Sequence, residues 1–205
     1  MASSYHQLGM VAQDKGDYKA ALYWYRRSLE IKEALGDRVG VASSYHQLGN
    51  VSLRGDYEAA LDWYRRSLEI KEALGDRAGM AISYHQLGNV SYLRGDYEAA
   101  LDWYRRALEI FEALGDRANM ASSYSQIGVL LTETGKPEEA VPLNLRSLAI
   151  RLELGVPEAR IDLHWLTRQR EALGEQRFLE VLKQHLDEND VNAVLKLLED
   201  FAAKQ

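Results

Sequence analysis

The sequence predicts an all-α fold built from stacked antiparallel helix pairs. Two observations carry that reading. A segment recurs along the chain: Tyr5, Tyr45, Tyr84 and Tyr124 are spaced by 40, 39 and 40 residues, and Gly16, Gly55, Gly95 and Gly135 by 39, 40 and 40. Within each copy the apolar residues recur at three-to-four spacing, the helical period, and in the first three copies Gly-Asp steps punctuate the pattern twice.

The third copy shows the elements in order. "SYHQLGNVSYLRG" places Tyr84, Leu87 and Val90 on one side and stops at Gly95, a residue suited to the left-handed turn after a helix. This is helix A. Asp96, like Asp17 and Asp56 before it, is placed to cap a second helix through its carboxylate. Along this helix B, "YEAALDWYRRALEIFEALG", Ala100, Tyr104, Ala107 and Phe111 form a stripe widened by Leu101, Leu108 and Ile110. Asp102/Arg106 and Arg105/Glu109 stand at i,i+4 on the wet side. Gly115 stops helix B, and Asp116 can cap the next helix A. A two-helix unit cannot bury such a stripe alone, so the copies must stack on one another.

By this reading residues 1–156 hold four units (1–42, 43–81, 82–121 and 122–156). The remainder lacks a clean repeat: 157–187 reads as a degenerate fifth helix pair, opened by Pro157 and broken at Gly174, and 188–205 as a capping helix with Asp190 at its start. The fourth unit departs from the others, with Pro137 in the tyrosine slot, Asn144 in the aromatic slot, and Pro142 expected in or near the first turn of its helix B.

The second and third copies are nearly identical. They differ at Ser43/Ile82, Ser67/Ala107, Lys71/Phe111 and Gly79/Asn119, and the second lacks the residue that is Tyr92 in the third. Because only Leu53 and Arg54 separate the gap from Gly55, the missing residue is expected to shorten or tighten the last turn of one helix A and disturb nothing beyond it.

The combination of Leu87, Gly88, Gly95, Tyr97, Ala100, Tyr104 and Ala107 resembles the tetratricopeptide repeat (TPR), and the resemblance covers residues 1 to 156. The long unit with "LGDR" between copies is similar to the arrays of Pins-type spindle adaptors, kinesin light chains and bacterial signalling proteins. The resemblance implies a right-handed α-solenoid with a C-terminal helical cap, acting as a non-catalytic scaffold that takes a peptide or helical segment in its concave groove. It also implies groove positions: His46, Asn50, His85 and Asn89 in the centre, and His6, Met10, Ser125 and Val129 in the flanking units. Tyr92 is expected to add an aromatic to that inner surface, which the second unit lacks. A carboxylate clamp of the chaperone-adaptor kind needs lysine where His46 and His85 stand, so recognition of that type is not expected.

Several classes of function are disfavoured. The net charge is −6 and no repeat-length segment exceeds +1, so nothing matches a phosphate backbone and no nucleic-acid partner is expected. There is no cysteine, hence no disulfide framework and no thiolate metal site. No run of about 18 apolar residues is present, and "MASSYHQLGM" lacks the layout of a secretory signal, so a cytoplasmic protein without a membrane partner is expected. His6, His46 and His85 share one slot, but equivalent helices lie roughly 8–10 Å apart, too far to share one metal ion. Ser3/His6 and Ser43/His46 stand at i,i+3, yet the third copy has Ile82 instead and no orienting third residue recurs, so neither catalysis nor a cofactor is expected. The Arg26/Arg27, Arg65/Arg66 and Arg105/Arg106 pairs are expected to bond along their own helix, with Glu30, Glu69 and Glu109 four residues after the first arginine. Trp24, Trp63 and Trp103 read as packing residues.

Two alternatives to a peptide-binding scaffold stand beside it. "MASSY" at residues 1–5 recurs at 120–124 inside a helix A, so the chain starts partway along one. This suggests either a regulatory or sensor fragment of a larger signalling protein, or an uncapped first repeat through which copies self-associate. The near-identity of two copies suggests a duplicated or engineered consensus array without a dedicated ligand.

Overall fold

A computed structural model describes residues 1–203, so Lys204 and Gln205 of the expected capping segment lie outside the described residues. Eleven helices and no strand are found among the described residues. They are α1 (Ala2–Asp14), α2 (Tyr18–Ala34), α3 (Arg38–Ser52), α4 (Tyr57–Leu74), α5 (Arg77–Leu93), α6 (Tyr97–Leu114), α7 (Arg117–Glu133), α8 (Pro137–Leu154), α9 (Ala159–Leu173), α10 (Glu175–His185) and α11 (Glu188–Ala202). The chain divides into two compact units, Met1–Ile110 and Phe111–Gln205.

In unit 1 the Gly-Asp steps act as expected. Asp37 and Asp76 accept from the backbone N–H of Gly40 and Gly79 at 2.9 Å, capping α3 and α5, and Asp17 and Asp56 accept from Ala20 and Ala59 at 3.0 and 2.9 Å, capping α2 and α4. Each such cap is worth about 0.5–2 kcal/mol. The paired helices approach closely because a glycine on helix A sits under a tyrosine ring on helix B. A Cβ at Gly49 would come within 2.6 Å of the Tyr64 ring, and Gly9 and Gly88 stand in the same relation to Tyr25 and Tyr104. All three rings are fully buried. A hydroxyl reinforces the contact: Ser28 and Ser67 donate to the carbonyls of Ala2 and Ala42 at 2.9 Å.

The missing residue is absorbed in one turn. After α1 and α5 the chain closes with bonds from Asp17 N–H to the Ala12 carbonyl and from Asp96 N–H to the Ser91 carbonyl, both at 2.9 Å and spanning five residues, with Gly16 and Gly95 at φ +76° and +77°. After α3 the span is four residues, from Asp56 N–H to the Ser52 carbonyl at 2.7 Å, and Gly55 leaves the positive-φ region. Helix A of the second copy therefore ends at Ser52, three residues before its glycine, whereas α5 ends two before. The six-to-one closure of a Schellman turn has been exchanged for a helical five-to-one closure, and the Asp56 cap survives.

Unit 2 keeps the hairpin of α7 and α8, with Asp116 capping α7 through Asn119 N–H at 3.2 Å, but it replaces the buried tyrosine by Asn144. Asn144 sits against Gly128 and opens a polar core. Its carboxamide donates to Asp162 at 3.2 Å and accepts from Gln169 at 2.7 Å, Ser147 donates to Asp162 at 2.9 Å, and Arg151 pairs with Asp162 at 2.8 Å. An apolar cluster of Leu145, Leu163, Leu166, Phe178, Leu182 and Leu198 joins α8, α9, α10 and α11.

Four expectations need correction. Asp187, not Asp190, caps α11, its carboxylate accepting from Asp190 N–H at 2.9 Å; the cap falls three residues earlier, which places Glu188 and Asp190 in the acidic first turn. Pro142 lies inside α8, beyond its first turn. Pro157 stands in the turn before α9, which starts at Ala159. Among the helix B arginines it is the second of each pair that is bonded: Arg27 to Glu30 at 2.8 Å, Arg66 to Asp62 at 2.9 Å and Arg106 to Asp102 at 3.0 Å. Arg66 and Arg106 also lie over Trp63 and Trp103, 5.2 and 5.0 Å from the ring centroids, while remaining exposed.

Candidate functional site

In unit 1 the A helices α3 and α5 carry the central groove candidates, His46 and Asn50 on the first and His85 and Asn89 on the second. All four are half-buried. The asparagines face inward through one oxygen. The Tyr64 hydroxyl donates to Asn50 Oδ1 at 2.7 Å and the Tyr104 hydroxyl to Asn89 Oδ1 at 2.8 Å, while the asparagine Nδ2 atoms donate to Gln47 and Gln86 at 3.1 and 2.9 Å. In the first copy Met10 fills the asparagine slot, and Gln13 accepts from Tyr25 at 2.9 Å instead.

The histidines lie tilted over the same tyrosines, His46 at 5.5 Å from Tyr64 and His85 at 5.3 Å from Tyr104, with His6 over Tyr25 at 5.4 Å. His46 Nδ1 and His85 Nε2 are buried with no hydrogen-bond partner among the described residues. Burial pushes both imidazoles down to about 4, aided at His46 by the charge on Lys71, so they are neutral at pH 7. Burial lowers His6 as well.

The flanking candidates are placed differently. The Tyr92 ring lies 5.8 Å from Tyr97, at the turn between α5 and α6. In unit 2 Ser125 is buried and 3.4 Å from Arg151 Nη1, and Val129 is buried. Met10 is exposed.

Beside His46 lies a cleft of about 720 Å³, flanked by α3, α5 and the end of α4 and lined by Val39, Ser43, His46, Lys71, Leu74 and Ile82 among others. Lys71 is the residue that sequence reasoning missed. It occupies the slot of Phe111 in the helix B stripe and is only 9% exposed, yet its Nζ donates at 2.9 Å to a neutral group, the Ser83 hydroxyl. No carboxylate lies within ion-pair distance of it among the described residues; Asp76, the cap of α5, also lines the cleft, and its charge acts on Lys71. Burial consequently lowers the ammonium from its ordinary value. The signal in the sequence was a lysine standing where the adjacent copy has phenylalanine.

These features, small residues under buried tyrosines and Asp-capped helix pairs in register, recur with the sequence pattern, and the model of the tetratricopeptide repeat family matches residues 1–73 and 79–153. The chain belongs to the tetratricopeptide repeat family. Proteins of this family generally act as interaction scaffolds. Solved structures similar to this TPR chain include BtubC (BKLC) from P. vanneervenii, 23% identical over 92% of this chain and 78% of that one, with a TM-score of 0.76. A segment of nearly identical TPR-like repeats, assigned to a kinesin light chain of Podosopora anserina, is 19% identical over 97% and 96%, with a TM-score of 0.71. Aspartyl phosphate phosphatase F from Bacillus subtilis is 16% identical over 99% of this chain and 55% of that one, with a TM-score of 0.76. At these identities the likeness is one of fold. No curated protein matches the sequence. Among the described residues no helix is long and apolar enough to cross a membrane, and no group of three His, Cys, Asp or Glu could hold a metal ion.

Proposed function

We propose that this TPR chain is a non-catalytic, cytoplasmic interaction scaffold that takes a peptide or helical segment of a protein partner on the helix A face of unit 1. The observation that carries this reading is the cleft beside α3 and α5. It is of a size that holds several side chains, and exposed apolar residues, Val39, Leu74 and Ile82, stand at its walls. His46, neutral and half-buried, offers a ring nitrogen and an aromatic face next to them. Selection of displayed random peptides tests the reading: peptides enriched on the chain and lost when Ile82→Glu places a charge in the wall support it, and peptides that bind both alike oppose it.

A second reading, association between copies through α1, is favoured by one observation. Leu8 and Val11 are 44% and 50% exposed, while Leu48 and Val51, which fill the same slots in α3, are buried. Light scattering over a concentration series, with Leu8→Glu/Val11→Glu as comparison, checks it; a mass that stays monomeric at every concentration removes it.

A further inference from the structure

Helices α1, α3 and α5 carry one face three times over. "SYHQLG" stands at 4–9, 44–49 and 83–88, so Ser4, Leu8 and Val11 of α1 fill the slots of Ser44, Leu48 and Val51 in α3 and of Ser83, Leu87 and Val90 in α5. Each of these helices is held against its own helix B in the same way, with a tyrosine ring over Gly9, Gly49 and Gly88. On α3 and α5 the face is covered: Ser44, Leu48, Ser83, Leu87 and Val90 have no exposed surface, and Val51 is 3% exposed. On α1 Ser4, Leu8 and Val11 are all exposed. From Ala2 to Gln13 the helix carries no Asp, Glu, Lys or Arg, whereas an outer face left to water in a stacked array is ordinarily polar.

What covers such a face is visible twice in unit 1. Helix α2 lays Leu22 and Leu29 against the cluster that holds Leu48 and Val51, and its Lys32 donates to the Ser44 hydroxyl at 2.9 Å. Helix α4 does the same to α5: Leu61 and Leu68 share a cluster with Leu87 and Val90, and Lys71 donates to the Ser83 hydroxyl at 2.9 Å. In both covering helices the two leucines stand seven residues apart and the lysine three beyond, a spacing that keeps all three on one side. The lysine is the selective part. Its stem and ammonium are buried by the contact, so the seat must hold an acceptor for it, and Ser4 supplies that hydroxyl on α1. In a second folded copy the matching residues of α2 and α4 are already seated on α3 and α5, so those helices have no free side to offer.

We propose that the uncovered face of α1 is a docking surface for an amphipathic helix of a partner protein, one that presents two leucines seven residues apart and a lysine three residues beyond the second. The leucines pack on Leu8 and Val11, and the lysine donates to the Ser4 hydroxyl. The partner helix takes the place on α1 that α2 takes on α3. The surface shares no residue with the cleft beside His46 and is independent of what that cleft holds. It is the same face that association between copies would use, with a different occupant.

The probe is a synthetic peptide of residues 57–74, the sequence of α4, held helical by a lactam between Asp62 and the side chain of Arg66→Lys, two exposed positions one turn apart. The labelled peptide should bind the full chain in an anisotropy titration, and Leu8→Glu/Val11→Glu in the chain should weaken it by about tenfold or more. Both side chains are exposed, so that variant keeps its fold, which circular dichroism checks. Leu68→Glu in the peptide should have the same effect. Ser4→Ala in the chain and Lys71→Met in the peptide should each cost about threefold or more, and the two together no more than either alone, because they remove one bond. Ile82→Glu in the chain should leave the titration unchanged, which separates this face from the cleft. A peptide that does not bind, or that binds the Leu8→Glu/Val11→Glu chain equally well, would overturn the proposal and leave the cleft reading standing. A mass that doubles with concentration, returns to that of a monomer in Leu8→Glu/Val11→Glu and does not respond to the peptide would also overturn it, and would assign the face to a second copy.

Discussion

The Tyr64 hydroxyl donates to Asn50 Oδ1 at 2.7 Å, and the same bond joins Tyr104 to Asn89 at 2.8 Å. A groove asparagine therefore does structural work before it meets any ligand. Asn50→Ala should lower stability by about 1–3 kcal/mol, the cost of leaving a buried hydroxyl unpaired, and by less than about 1 kcal/mol in a Tyr64→Phe background. A double-mutant cycle by urea unfolding measures this; equal losses in both backgrounds would show the bond to be idle. It follows that alanine at Asn50 or Asn89 is a poor probe of binding, and that Ile82 and Lys71 are better ones.

The shortened turn gives a contrast between two equivalent glycines. Gly95 sits at φ +77°, where a side chain is strained by about 1–2 kcal/mol, and Gly55 does not. Neither has a heavy atom within 4 Å of an added Cβ, so space does not confuse the comparison. Gly95→Ala should lower the melting temperature, and Gly55→Ala should leave it unchanged or raise it through a stiffer unfolded chain, by up to about 1 kcal/mol. Inserting a tyrosine after Ser52 should reverse the order, because the restored turn returns Gly55 to positive φ. Scanning calorimetry of the variants is sufficient to check both.

In unit 2 the Arg151–Asp162 pair is buried on both sides. Removing only the carboxylate, as in Asp162→Ala, should cost about 3–5 kcal/mol because the guanidinium is left without its counter-charge. Arg151→Met with Asp162→Leu should recover most of that loss. Denaturant midpoints report it, and a double variant as unstable as the single would assign the network's value to the hydrogen bonds of Ser147 and Asn144 instead.

The repeat made the helix pairs and the Asp caps between them readable in advance, because each rests on local chemistry copied several times. The early end of α3 was readable for the same reason: a one-residue gap two residues before a glycine has few ways to close. What escaped was set by tertiary partners. The carboxylate that meets Arg151 comes from α9, in a segment without repeat signature, so Asn144 looked like a lapse in the pattern although it anchors a polar core. Asn50 and Asn89 looked free because the tyrosines that bond them lie 14 and 15 residues further along, on the facing helix. Lys71 appeared only as a difference from Phe111, since three-to-four spacing cannot tell a snorkelling stem from a buried ammonium.

The histidines predict how the chain responds to acid. Their folded values, about 4 at His46 and His85, lie below the 6.5 of the free side chain. Between those limits the unfolded chain binds more protons than the folded one, so stability rises with pH across that window. The contribution is complete above 6.5 and is lost as pH falls toward 4, by about 3 kcal/mol for each histidine at the limit. Carboxylates titrate in the lower part of the window too, so the informative quantity is the difference between the chain and a His46→Phe/His85→Phe variant, which keeps a ring over each tyrosine without a proton to bind. Urea midpoints measured from pH 7.5 downward should fall more steeply for the unaltered chain. Parallel curves would mean that the imidazoles reach water when protonated, and that the face they occupy is looser than the packing over Tyr64 and Tyr104 implies.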